Sequence, residues 1–130
     1  MIALITLSVK GKQMKLSLLV GQLRLENLTP ELGDNLEAEI SYGFSGDLLS
    51  DVLAHAPKGG LLVTIQVHMN VIAVSSHAGL RAVIFAAGRK PEEAVRQRAV
   101  EENISLFSSP ESAFDISGKL YERGVRGKKQ

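Results

Sequence analysis

The amino-acid sequence predicts a single α/β domain, a layered fold with a largely parallel sheet flanked by helices. Three observations carry this expectation. From Leu61 onward, strand-like and helix-like patterns alternate three times in succession, the signature of parallel strands joined by crossover helices. The run Ala82-Val83-Ile84-Phe85-Ala86-Ala87 contains no polar residue, which suits a strand covered on both faces and therefore a central place in the sheet. The chain has 130 residues, 45% hydrophobic and 22% charged, enough for one core and far from the composition of a disordered segment.

The elements follow in chain order. Leu16, Leu19, Val20 and Leu23 fall at i, i+3, i+4 and i+7, one face of an amphipathic helix. A short strand is expected over residues 25–28, followed by a turn-rich cluster of Pro30, Gly33, Asp34 and Asn35. Alternation over residues 36–40 reads as a half-buried strand, and Gly43 and Gly46 as a flexible or tightly turning loop. Between Asp47 and Ala56, the stripe of Leu48, Leu49, Val52, Leu53 and Ala56 predicts a helix, stopped by Pro57-Lys58-Gly59-Gly60.

Residues 61–67 form the clearest strand, with Val63, Ile65 and Val67 on one side and Thr64 and Gln66 on the other. Val71, Ile72 and Val74 suit a strand as readily as a helix. Parallel pairing of the flanking strands requires a crossover, so a helix capped by Asn70 is predicted there. After Gly88, Pro91 is expected at the first helical position, with Glu92 and Glu93 in the first turn and a helix to about Glu102. Residues 104–107 read as a strand, and Ser109-Pro110-Glu111 as an N-cap, an N1 proline and a first-turn acid. The last helix should carry Ala113, Phe114, Ile116, Leu120 and Tyr121 inward and end near Gly124. Arg126, Lys128 and Lys129 are expected in a frayed basic tail. The organisation is thus an extension over residues 1–13 of open structural state, a domain over 14–124 and a tail over 125–130. Met1 to Val9 is apolar, but no basic segment precedes it and nine residues are too short to span a bilayer; it is read as neither signal nor anchor.

Charge and cysteine content exclude several function classes. Fifteen Lys and Arg against fourteen Asp and Glu leave a net charge of +1, so no global field draws in nucleic acid or an anionic membrane. There is no cysteine, which removes disulfides, thiolate nucleophiles and cysteine-based metal sites and fits a reducing, cytoplasmic setting.

Several stretches resemble a known family. Gly46-Asp47-Leu48-Leu49-Ser50-Asp51-Val52, Thr64-Ile65-Gln66 followed by His68 and Asn70, Ile72-Ala73-Val74, and Ser112-Ala113-Phe114 resemble the DRTGG domain family in order and spacing, over roughly Met14 to Gly124. That family is similar to the amino-terminal domain of bacterial HPr kinase/phosphorylase, and such domains also occur in phosphotransacetylases and some CBS-domain pyrophosphatases. The resemblance implies a regulatory module without a catalytic centre of its own. Where the family's Asp-Arg and Thr-Gly-Gly elements would fall, this chain has Glu37-Ala38 and Ser41-Tyr42-Gly43, so no role of that arginine carries over. No Gly-x-x-x-x-Gly-Lys-Ser/Thr loop is present, and kinase chemistry is not implied.

The candidate site residues come from strand ends and helix starts. His68 and Asn70 follow the strongest strand, where open α/β sheets place ligands; a structural His68 beside an Asn70 cap explains them equally well. Ser108 and Ser109 occupy the equivalent position one strand later, with hydroxyls suited either to an anion or to capping. Arg89 and Lys90 offer two cations to a phosphate at the same edge, although two basic residues on a loop commonly do no more than face solvent. Asp47, Asp51 and His55, spaced by four, would share a helix face and could meet a metal. Solvated acids on a helix are commonplace, and no metal or cofactor is assigned. Tyr42, Gly43, Phe44, Gly46, Asp47 and Asp51 form the candidate self-association surface, since aromatics beside glycines permit close backbone approach; burial of both aromatics in the core is the competing reading.

The expectation is therefore a cytoplasmic, non-catalytic regulatory or adaptor module. It should form a homodimer and bind a nucleotide, a phosphorylated metabolite or a protein partner, with no nucleic acid and no membrane among its partners. The alternative is an enzyme or enzyme subunit acting on phosphoryl or acyl-phosphate substrates, which rests only on the larger proteins that contain such domains.

Overall fold

Alternating apolar runs and helical stripes produce the following order in the computed structural model, which describes residues 10–127: β1 Met14–Lys15, α1 Leu16–Leu23, β2 Glu26–Asn27, a 3-10 segment Pro30–Glu37, β3 Glu39–Ile40, β4 Gly43–Ser45, α2 Leu49–His55, β5 Leu61–Thr64, α3 Met69–Ala78, β6 Ala82–Phe85, α4 Glu93–Glu101, β7 Ser105–Ser108 and α5 Ala113–Glu122. Most of the amino-terminal extension, residues 1–9, and the basic residues Lys128 and Lys129 of the tail lie outside the described residues.

Among the described residues a five-stranded sheet runs in the order β2-β7-β6-β5-β4. β4, β5, β6 and β7 are parallel, and β2 joins β7 antiparallel. The apolar run at residues 82–87 does supply the central strand, and each of β5, β6 and β7 is buried along its whole length. Side chains alternate between the two faces, as strand geometry requires. Leu62, Val83, Phe85 and Leu106 pack with Val52, Val71, Ile72, Val95 and Ala99 from α2, α3 and α4. Leu61, Val63, Ala82, Ile84 and Phe107 pack on the other face with Leu16, Leu19, Leu23, Ile116 and Leu120 from α1 and α5. The result is three layers, helix on sheet on helix. Each large buried side chain contributes on the order of 1.5–3 kcal/mol.

Long-range bonds close the chain ends. Lys12 donates its backbone N–H to Gly124 O at 2.9 Å, and Gly43 and Arg126 exchange strand-like bonds along the outer side of β4, with Gly43 N to Arg126 O at 2.8 Å and Arg126 N to Ser41 O at 3.1 Å. β1 pairs antiparallel with β3 in a separate two-stranded ribbon.

Several expectations are corrected. Gly43 lies in strand β4 rather than in a loop; a Cβ there would sit 3.1 Å from Leu61 Cδ1, so the glycine serves close strand packing. Residues 36–38 are not strand, because Leu36 and Glu37 belong to the 3-10 segment. Helix α3 is present as predicted, but its N-cap is His68, whose Nδ1 accepts from the backbone N–H of Asn70 at 3.1 Å. Pro91 lies before the N-cap Glu92 of α4. The N-cap of α5 is Ser112, whose Oγ accepts from Asp115 N, and not Ser109.

Two apolar stripes are also only partly inward. In α5, Ile116 and Leu120 are buried while Phe114 is 87% and Tyr121 57% exposed. At 100° per residue, Phe114 and Tyr121 share a face about 200° from Ile116. In α2, Val52 is buried but Leu53 and the N-cap Leu48 are 45% and 69% exposed; among the helices this short one packs most extensively against α3.

Candidate functional site

The carboxyl ends of β5 and β6 open onto one cleft, and its walls are set by side chains that fix the strand ends. Asp47 Oδ1 accepts from Thr64 Oγ1 and from the backbone N–H of Ile65, both at 2.8 Å. Thr64 is fully buried, and its Oγ1 in turn accepts from Gln66 N at 3.1 Å. These three bonds turn the chain out of β5 and deliver it to His68. Because His68 Nδ1 is occupied as the acceptor of the α3 cap, the neutral ring carries its hydrogen on Nε2.

After β6 the backbone passes through two successive left-handed positions, Ala87 at φ 58° and Gly88 at φ 71°. For alanine that conformation carries strain. It is held by bonds to the next loop, Ala87 N to Glu111 O at 2.7 Å and Gly88 N to Ser109 O at 2.8 Å. The turn presents Arg89 and Lys90 on the same cleft as His68, together with Gln66, Met69 and Glu92. Its volume is about 640 Å³. Lys90 Nζ is paired with Glu26 Oε1 at 2.7 Å, whereas Arg89 forms no ion pair among the described residues.

His68, Arg89 and Lys90 thus come together, drawn from two consecutive strand ends. Asn70, Ser108 and Ser109 do not line this cleft. Ser108 is buried in the sheet, and the buried Ser109 spends its Oγ accepting from Glu111 N at 3.1 Å. The Ser109 hydroxyl thus serves the loop scaffold. Sequence reading missed Glu92, treated there as a dipole residue of α4, and Glu26, whose pairing with Lys90 spans a sequence distance that no local pattern reveals.

The proposed shared face of Asp47, Asp51 and His55 is corrected. Helix α2 begins only at Leu49, so Asp47 lies outside it and is committed to Thr64 and Ile65. Asp51 Oδ1 and His55 Nδ1 do meet, at 2.8 Å on an exposed surface. Among the described residues, no group of three or more His, Cys, Asp or Glu is placed to hold a metal. At the candidate association surface, Tyr42, Gly43, Phe44 and Gly46 are half-buried, Phe44 packs in part against the core, and Asp47 and Asp51 are exposed.

A second polar cluster ties the β2 side of the sheet to α4. Arg96 donates to Glu31 and Glu93, each at 2.8 Å, and to the Leu28 carbonyl at 3.1 Å. Hydrogen bonding from the guanidinium holds both carboxyls below their ordinary value, and they in turn raise that of the arginine.

Among solved structures the chain is similar to the CBS and DRTGG domains of the regulatory region of Clostridium perfringens pyrophosphatase, determined in complex with its activator, diadenosine tetraphosphate. The TM-score is 0.64 at 12% identity, covering 81% of this chain. The chain spans less than half of that one, 45% of its length, and the likeness is one of fold. No protein-family model matches the chain, and no curated protein does. Among the described residues, no helix is long and apolar enough to cross a membrane.

Proposed function

We propose that this chain is a non-catalytic regulatory module that binds the phosphate of a nucleotide or phosphorylated metabolite in the cleft at the carboxyl ends of β5 and β6. The convergence of His68, Arg89 and Lys90 on that cleft supports the reading most directly. Arg89 supplies a cation with no ion-pair partner among the described residues, His68 a neutral Nε2–H donor, and Lys90 a second cation that an anionic ligand would compete for with Glu26. The similarity in fold to a regulatory region solved with a nucleotide activator agrees with it. Self-association through the edge formed by Tyr42, Gly43, Phe44, Gly46, Asp47 and Asp51 completes the proposal, supported by the neighbouring exposed Leu48 and Leu53.

The test is thermal unfolding with adenine mononucleotides, diadenosine tetraphosphate and acetyl phosphate, read beside light scattering. A ligand present at a hundred times its dissociation constant stabilises the folded state by about 2.7 kcal/mol, and Arg89→Ala should abolish the rise. Absence of any rise, or one that Arg89→Ala leaves intact, removes the cleft from the proposal. Light scattering should give twice the chain mass, reduced to the monomer by Leu53→Glu. Turnover of acetyl phosphate would transfer the protein to the enzyme class.

A further inference from the structure

The near-zero net charge conceals a concentration of cations where the two ends of the chain meet. Lys10 and Lys12, from the segment before β1, and Arg123 and Arg126, from the end of α5 and beyond, line one cleft of about 420 Å³. Glu122 is its one acidic lining residue and Met14 its one apolar side chain. The convergence is built in, because the backbone bond from Lys12 N to Gly124 O joins the two segments directly.

The arginines are positioned by their surroundings. Arg123 Nε donates to Gln22 at 2.7 Å and its Nη1 to the Lys119 carbonyl at 3.0 Å. Arg126 stacks on the Tyr121 ring at 3.9 Å and donates Nη1 to the Tyr121 carbonyl at 2.8 Å. The Arg123 guanidinium, held by Gln22 and the Lys119 carbonyl, keeps its charge for a ligand. Neither Lys12 nor Arg123 forms an ion pair among the described residues.

Arg126 also lines a neighbouring, largely apolar groove with Phe44, Leu120, Tyr121 and Val125. The cations are confined to one cleft rather than drawn out along a track of the six to ten phosphate contacts typical of a nucleic-acid site. The Tyr121 ring beside this cleft already has one face covered by Arg126. Cations next to an apolar groove fit a peptide that alternates carboxylates with apolar side chains.

We propose that this cleft, formed by residues 10–14 and 122–126, docks an acidic segment of a partner protein. The surface is separate from the phosphate cleft, so either can fail alone. A fluorescein-labelled peptide of alternating Glu and Leu is titrated into the full chain in 50 mM and 200 mM salt, and anisotropy is read. Binding should be at least tenfold weaker in the higher salt and at least tenfold weaker in Lys12→Glu and in Arg123→Glu. The control is Arg98→Glu, which makes the same charge change on α4, over the other face of the sheet, and should alter binding less than threefold. Thermal midpoints of all variants establish folding, and the milder Lys12→Gln replaces any variant that unfolds. Equal loss in the control, no binding to the wild-type chain, or tighter binding of an oligothymidylate of equal charge would each overturn the proposal.

Discussion

The two faces of the sheet are built from different parts of the chain. On one face α2, α3 and α4 are successive crossovers, each laid down between the strands it covers. On the other, α1 and α5 come from opposite ends of the described chain and pack together over the sheet. A face made of consecutive strand-helix-strand units is specified by short-range pattern, whereas a face made of the chain ends depends on long-range closure. Long-range polar bonds are made on both faces: Lys12 with Gly124 and Arg123 with Gln22 join the chain segments of the second, and Arg96 with Leu28 and Glu31 ties α4 of the first to the β2 side.

The largest test of this contrast is a pair of core truncations. Phe85 faces α2–α4 and Phe107 faces α1 and α5, and both are fully buried. Phe85→Ala and Phe107→Ala should each destabilise by about 3–5 kcal/mol in urea unfolding, with one cooperative transition and an unchanged slope. Leu16→Ala in α1 should lose about 2–5 kcal/mol. A loss below about 1 kcal/mol would show that α1 decorates the sheet instead of completing its core.

A smaller effect is expected where β2 joins the sheet. Thr29 is 1% exposed, and its Oγ1 accepts from the backbone N–H of Leu106 at 3.0 Å. Thr29→Val keeps the shape and strands that donor, which should destabilise by about 1–3 kcal/mol. A neutral result would mean that another group reaches the Leu106 N–H.

The smallest effect is electrostatic. Glu31 and Glu93 have folded-state values lowered by Arg96 from the ordinary 4.5. Their contribution is therefore complete above that value and is lost as the pH falls through the lowered folded-state values. Arg96→Met should flatten the acid limb of the stability profile while leaving the slope of stability against pH unchanged above pH 6. An unaltered acid limb, followed by circular dichroism, would assign the pH dependence to other carboxylates.

Much of the parallel half was legible because its signals are local. The uninterrupted run at 82–87, the β-branched run at 61–67 and the requirement for a crossover between them placed β6, β5 and α3. Caps were less legible: Ser109 followed by Pro110 and Ser112 followed by Asp115 carry similar start signals, and only the docking of Ser109 against the 86–88 turn decides between them. The candidate cleft was readable in part for the same reason. His68, Arg89 and Lys90 all follow apolar strands, whereas Glu26 enters through antiparallel pairing of β2 with β7.

By itself, the sequence determined the α/β class, the parallel order of the later elements and the strand-end origin of His68, Arg89 and Lys90, since each rests on periodicities within about twenty residues. Tertiary structure decided which helices share a face of the sheet, that Phe114 and Tyr121 point outward, and that Gly43 belongs to a strand. It also decided that cations at the two chain ends share one cleft. Those outcomes depend on contacts between residues far apart in the chain, whose geometry exists only once the sheet is assembled.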